Sequence, residues 1–178
     1  MKLDNWYVLD YYYCMVIMGI DPGTATTGWG VIDVVGGKPM YIKAGTIATS
    51  PKETQEARLV IIYDDLMNLF AAFKPTHLAL EQLFFNTNTK TALLVGQARG
   101  VAMLASQKQN CPIFSYTPLQ VKMAISGYGR ADKKQVQQMV KTILKLSEIP
   151  KPDDAADALA VAITHSFSYK IGKLKMKK

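Results

Sequence analysis

Apolar and polar positions along the chain change their period several times, and each change marks an element. Val16 to Ile20 form a short strand-like run that ends in Asp21, and a turn built of Pro22, Gly23 and Thr24 follows. "WGVIDVV" and "MYIKAGTIA" are two more such runs, placed either side of "GGK", whose Gly36 and Gly37 supply the positive backbone angles of a tight hairpin. From Glu53 to Phe73 the period becomes helical: Leu59, Ile62, Leu66, Leu69, Phe70 and Phe73 share a face, and Lys74 and Pro75 close the run. "HLALE" predicts a short buried strand that ends, like the first, in a carboxylate, here Glu81. "TKTALLVGQARGVAMLASQ" then predicts a helix, "PIFSYT" a strand, and "PLQVKMAISG" a short helix stopped by Gly127. "DKKQVQQMVKTILKL" has Val136, Met139, Val140, Ile143 and Leu144 on one helical face. The last predicted helix is "PDDAADALAVAITHSF", with Pro152 in its first turn, Asp153 and Asp154 complementing its N-terminal dipole, and alanines that let it lie close on a sheet.

A meander of three strands followed by alternating helices and strands predicts an α/β domain with a mixed five-stranded sheet flanked by helices. The 178 residues suffice for one core, so a single domain is expected over 15–169, after an extension at 1–14 with no assigned role and before a basic tail at 170–178. Charge adds to this picture. Lys and Arg number 21 against 14 Asp and Glu, a net +7 concentrated toward "YKIGKLKMKK", which favours a polyanionic partner and above all nucleic acid. Cys14 and Cys111 lack any metal-ligand spacing and fit a reducing, cytoplasmic setting. The apolar opening is interrupted by Asp4 and Asp10, has no cleavage site and stops at Asp21, so neither a secretion signal nor a membrane span is expected.

The chemistry lies in the carboxylates. Asp21 and Glu81 end predicted strands, where open α/β sheets hold their ligands. Asp154 and Asp157 lie three apart, on one face of the last helix. Taken singly, Asp157 also fits a solvated helix face, Asp154 a helix cap, and Asp21 an ordinary "DPG" turn; Glu81 is no turn former. If the four converge, each like-charged pair ~4 Å apart repels by ~4 kcal/mol at an effective dielectric near 20, a cost that divalent cations offset. An all-oxygen donor set without Cys or His clusters points to Mg²⁺ or Mn²⁺ over zinc.

"GIDPGTATTGWGVI", "LALEQLFFNTNTKTALLVGQARGVAML", "SGYGRADKKQVQQMV" and "DDAADALAVAITH" resemble, in order and spacing, the motifs of the RuvC-type Holliday-junction resolvases, over about Met15 to Ser168. The resemblance implies an RNase H-like fold and a homodimer that nicks two strands of like polarity at four-way junction DNA, using two Mg²⁺ ions per active site (Mn²⁺ being the alternative metal). It implies Asp21, Glu81, Asp154 and Asp157 as catalytic metal ligands, with the "DAADALA" register selecting Asp154 over Asp153. It also implies DNA contacts from Phe84, by stacking near the crossover, from Lys122 and Lys133 near the scissile phosphate, and from Arg130 in the "GYGRADK" loop. The helix carrying "GQARGVAML" resembles the family's dimer-forming helix, in which Gly96, Ala98, Gly100 and Ala102 would allow close packing, and RuvA and RuvB are the partners so implied. The extension at 1–14 departs from the family pattern. Two other classes remain open on the sequence: an actin or Hsp70-type ATPase, whose phosphate loop also follows a strand with Asp, Gly and Thr, and a non-catalytic nucleic-acid-binding relative.

Overall fold

The computed structural model describes residues 15–82 and 89–176, and side chains over 15–82 and 92–169. The β-branched and apolar runs form strands β1 (Met15–Asp21), β2 (Thr26–Val35) and β3 (Lys38–Ala48), then β4 (His77–Glu81) and β5 (Ile113–Tyr116). They make one sheet in the order β3-β2-β1-β4-β5. The β1–β2 and β2–β3 pairs are antiparallel and the β1–β4 and β4–β5 pairs parallel, which is the mixed sheet the sequence predicts. Gly36 and Gly37, at φ 58° and 74°, make the hairpin turn between β2 and β3.

Five helices cover the two faces: α1 (Gln55–Phe73), α2 (Thr89–Lys108), α3 (Pro118–Ser126), α4 (Lys133–Ile143) and α5 (Asp153–Met176). Strand alternation divides the core. Met18, Ile20, Val31, Leu78 and Leu80 join Ile62, Leu66 and Phe70 of α1 and Ala98, Ala102 and Ala105 of α2 on one face. Ile17, Ile32 and Ala79 join Val121 and Ile125 of α3, Val136 and Val140 of α4, and Leu159 to Ile163 of α5 on the other. Cys111 is buried in the first of these clusters. Local signals set the helix starts: Thr117 with Gln120 and Asp132 with Gln135 each form a reciprocal capping box, and Thr54 caps α1.

Helix α5 sets the geometry of the site. It lies so close to the sheet that a Cβ on Gly19 would collide with the Ala158 carbonyl and the Ala162 amide, and one on Gly28 with the Asp154 carbonyl. Further along, buried His165 bonds Tyr116 Oη through Nδ1 at 2.7 Å and His77 Nδ1 through Nε2 at 2.9 Å, tying the helix to β5 and β4. Burial, with His77 adding to it, pushes the His165 imidazole down to about 3, so the ring stays neutral in this bridge.

Three boundaries differ from expectation. Pro152 stands before α5, its carbonyl accepting the Ala155 amide at 3.0 Å. Helix α4 stops at Ile143 because Lys145 turns to φ 54° and the Leu146 amide returns to the Lys141 carbonyl, which keeps both Leu144 and Leu146 against the core. Helix α5 continues past Phe167 to Met176; "SYKIGKLKM" contains Gly172 but no proline, and its Lys, Leu and Met are good helix formers. Among the described residues no helix is long and apolar enough to cross a membrane.

Gly19→Ala is expected to lose at least about 1–3 kcal/mol of stability, the usual cost of overpacking, because the added methyl meets backbone that has no rotamer to escape into. Urea denaturation of the variant and the parent checks this.

Candidate active site

Register pairs Ile20 with Leu80, so the next residues on these neighbouring parallel strands, Asp21 and Glu81, end side by side. Ile20 and Leu80 fill the α1–α2 side of the core, and alternation turns the two acids toward α5. On its other side Asp21 pairs with Gly28, the residue on which the first turn of α5 rests. That contact brings Asp154 and Asp157 over the ends of β1 and β4.

The electrostatics follow from this convergence. The Asp21 carboxyl is pushed up to about 8, first by burial and then by the charges of Glu81, Asp157 and Asp154. Glu81 is also raised by burial, while a hydrogen bond from Asp21 opposes the rise. Burial and the crowding of charge thus favour the protonated form of Asp21, in hydrogen-bond contact with Glu81. Asp157 is raised by burial and held back by Lys133, whose Nζ lies 3.0 Å from it and 3.4 Å from the more exposed Asp153. Lys133 is raised in return, chiefly through its hydrogen bond to Asp157. No three His, Cys, Asp or Glu side chains among the described residues are grouped closely enough to hold a metal ion.

A cleft opens beside these acids, lined by Glu81, Asp157, Lys122 and Lys133 with an apolar floor that includes Val121 and Val136. Lys122 and Lys133, singled out from sequence, thus stand with the acids. Arg130 is exposed in the loop between α3 and α4 and is not among the residues lining this cleft. Phe84 lies outside the described residues. The charge of Asp154 acts on Asp21, whereas Asp153 pairs with Lys133. The sequence placed Thr24 in the turn but did not reveal what holds the Asp21 loop: Thr24 and Thr27 are buried, and Thr27 Oγ1 donates to the Gly23 carbonyl at 2.6 Å. Their signal was the clustering of three threonines in "GTATTG".

The small residues of α2 are divided differently from expectation. Ala98 and Ala102 are fully buried in the protein's own core, because this side of α2 packs toward α1 and the sheet. Leu93, Leu94, Met103 and Leu104 are exposed, and a Cβ on Gly100 would meet nothing within 4 Å.

A five-stranded sheet of this order, with acids on the adjacent ends of β1 and β4 and on the helix crossing them, defines an RNase H-like nuclease domain. The family model described as crossover junction endodeoxyribonuclease RuvC matches residues 17–165, and the chain belongs to that family. The crossover junction endodeoxyribonuclease RuvC of Pelotomaculum thermopropionicum is 52% identical over 164 residues, covering 92% of this chain and all of the relative. That of Ruminiclostridium cellulolyticum is 54% identical over 160 residues, covering 90% of this chain and 96% of the relative. Among solved structures, Thermus thermophilus RuvC in complex with Holliday junction substrate superposes with a TM-score of 0.84 at 38% identity, covering 89% of this chain and 96% of that one. The yeast mitochondrial resolvase Ydc2 shares the fold at a TM-score of 0.63 and 15% identity, over 91% of this chain and 84% of that one. The chain is thus an endodeoxyribonuclease of the RuvC type, and the ATPase and non-catalytic readings give way.

An Asp21 raised from 3.8 to about 8 on folding makes the metal-free protein lose stability as pH rises between those values, because the unfolded chain releases a proton that the folded chain retains. In EDTA, Asp21→Asn should therefore melt above the parent at pH 8, with the gap closing toward pH 4. A difference of 1 kcal/mol would appear as about 2–4 °C in a domain of this size, and calorimetry across that pH range reads it.

Proposed function

We propose that this nuclease cuts four-way DNA junctions by paired symmetric nicks, using two Mg²⁺ ions held by Asp21, Glu81, Asp154 and Asp157. The observation that carries the reading is the state of Asp21: a carboxyl pushed up to about 8 by burial and three neighbouring acids is a group that a divalent cation would return to its charged form. The donor chemistry fits, since all four are carboxylates and oxygen donors are what Mg²⁺ takes. The crowding of negative charge fits as well. Holding the metals would require Asp21 to release its proton and Asp157 to exchange Lys133 for the ion.

When bound, the metals supply an activated water and neutralise charge on the leaving oxygen. The chain's own residues do the rest. Asp21 and Glu81, fixed on adjacent rigid strands, orient the site from below, while Asp154 and Asp157 close it from the helix. Lys133, freed from Asp157, turns its ammonium to the phosphate and offsets the charge that develops there, with Lys122 on the same cleft rim. Phe84, three residues beyond Glu81, stacks on an unpaired base near the crossover. Arg130, preceded by Gly127 and Gly129, contacts backbone phosphate outside the cleft. The junction substrate is supported by the solved Thermus relative bound to it.

Paired nicks at a two-fold junction call for two active sites, and we place the dimer contact on the exposed side of α2. Leu93, Gly100 and Leu104 fall on one stripe there, with Leu94 and Met103 beside it. The chain then works in the cytoplasm with RuvA and RuvB.

A synthetic junction and a matched duplex, each with Mg²⁺ and then EDTA, test the substrate; cutting of the junction alone, and only with metal, is expected, and equal cutting of both would sink the reading. Asp21→Asn should hold the junction in a gel shift yet lower the cleavage rate at least about 100-fold, the order of effect of losing a charged group essential to the transition state. The double variant Leu93→Glu with Leu104→Glu should be monomeric by light scattering while each exposed site changes fold stability by only ~0.5 kcal/mol or less. A variant that stays dimeric would move the interface elsewhere.

A further inference from the structure

Asp21 opens a loop that is held from outside the site. Within the loop, Thr27 fixes Gly23. From the end of β3, the Thr49 amide donates to the Ala25 carbonyl at 3.0 Å and the Thr49 hydroxyl donates to the Thr24 carbonyl at 2.5 Å. That same hydroxyl oxygen accepts Nε of Arg58, on α1, at 2.7 Å. A threonine hydroxyl has one proton to give, and here it is committed to Thr24. The guanidinium takes up a lone pair of the oxygen, which fixes the rotor in that orientation and polarises the bond it donates. Arg58, Thr49 and Thr24 thus stand in series, linking α1 to the Asp21 loop.

Repulsion gives this brace something to oppose. Once Asp21 is ionised it faces Glu81, Asp157 and Asp154 across a partly desolvated space, at the point where β1 ends and the chain turns through residues 22–25 into β2. An unbraced loop would relieve the repulsion by swinging outward.

We propose that Thr49 and Arg58 are positioning residues for Asp21, which hold the loop at residues 21–25 where its carboxylate meets the other acids and so set the metal affinity of the site. The proposal rests on the metal site described under the proposed function. Neither residue needs to touch metal or DNA, because both act through the Thr24 carbonyl. Second-layer hydrogen bonds of this kind commonly change metal affinity by 10–100-fold when removed.

The test is a titration of DNA-free protein with Mn²⁺, followed by electron paramagnetic resonance of the free ion, alongside junction cleavage as a function of Mg²⁺. Thr49→Val, which keeps the shape and removes the hydroxyl, should weaken Mn²⁺ binding roughly tenfold, the lower end of such effects, and shift the Mg²⁺ dependence by the same factor. Its junction binding in EDTA should stay as in the parent. Thr49→Ser restores the hydroxyl and should bind Mn²⁺ within about twofold of the parent, a rescue that a packing role would not give. Arg58→Ala, on a helix that tolerates alanine, should weaken Mn²⁺ in the same direction and decides the matter if Thr49→Val fails to fold. Parental Mn²⁺ affinity in Thr49→Val, or a Thr49→Ser variant as weak as Thr49→Val, would overturn the brace. A parent that binds Mn²⁺ but does not cut junctions would overturn the proposed function, and the Mn²⁺ series would still decide the brace. A parent that binds no Mn²⁺ would overturn both.

Discussion

The distance between α5 and the sheet leaves no room for a Cβ at Gly19 or Gly28, and the placement of the site depends on that contact. Two of the four acids are on the helix and two on strand ends, so they face one another only if helix and strands lie at the right separation. A helix packed on ordinary side chains would stand farther from the strands and spread the acids apart. Along the helix, small residues keep the approach close at Ala155, Ala156, Ala158, Ala160 and Ala162, all buried, and the His165 bridge to Tyr116 and His77 prevents the far half from lifting.

Close approach concentrates like charge, and the structure answers it in two ways. Burial and mutual repulsion raise both Asp21 and Glu81, which favours the loss of negative charge at the strand ends. Lys133 neutralises Asp157 at the solvent edge while also reaching Asp153. Both answers are reversible: a proton can leave and a lysine can swing away. A site built in this way can stand without a cation and can still make room for one, at the cost of displacing a proton and an ion pair.

Function in this family asks the same scaffold to be rigid beneath the acids and open above them. The rigid part is plain in the packing, where β1 and β4 are almost wholly buried between two helical layers. The open part is the cleft with its two lysines, together with the exposed apolar stripe of α2 on the opposite face of the sheet. The dimer contact proposed on α2 would thereby use a surface separate from the cleft.

Much of this was legible in the chain itself. Short apolar runs that end in acids located β1 and β4, "GG" marked the hairpin, and the three-residue spacing of Asp154 and Asp157 put both on one face, because all of these are local consequences of backbone geometry. Four separated motifs in order were enough to identify the family. What the tertiary structure decided were contacts between distant segments. Thr24 meets Thr49, 25 residues away, and His77 meets His165, 88 residues away, although neither pairing leaves a periodic trace. Helical spacing placed Ala98 and Ala102 near Gly100 without telling which side would face the sheet; packing toward α1 turned the alanines inward and left Gly100 outside. The spacing around Lys133 names no partner for it, and only the arrival of α5 beneath α4 set Asp157 within its reach. Sequence patterns record what each element must bury, and a charge or hydroxyl near the surface of its element acquires a partner only when another element is folded against it.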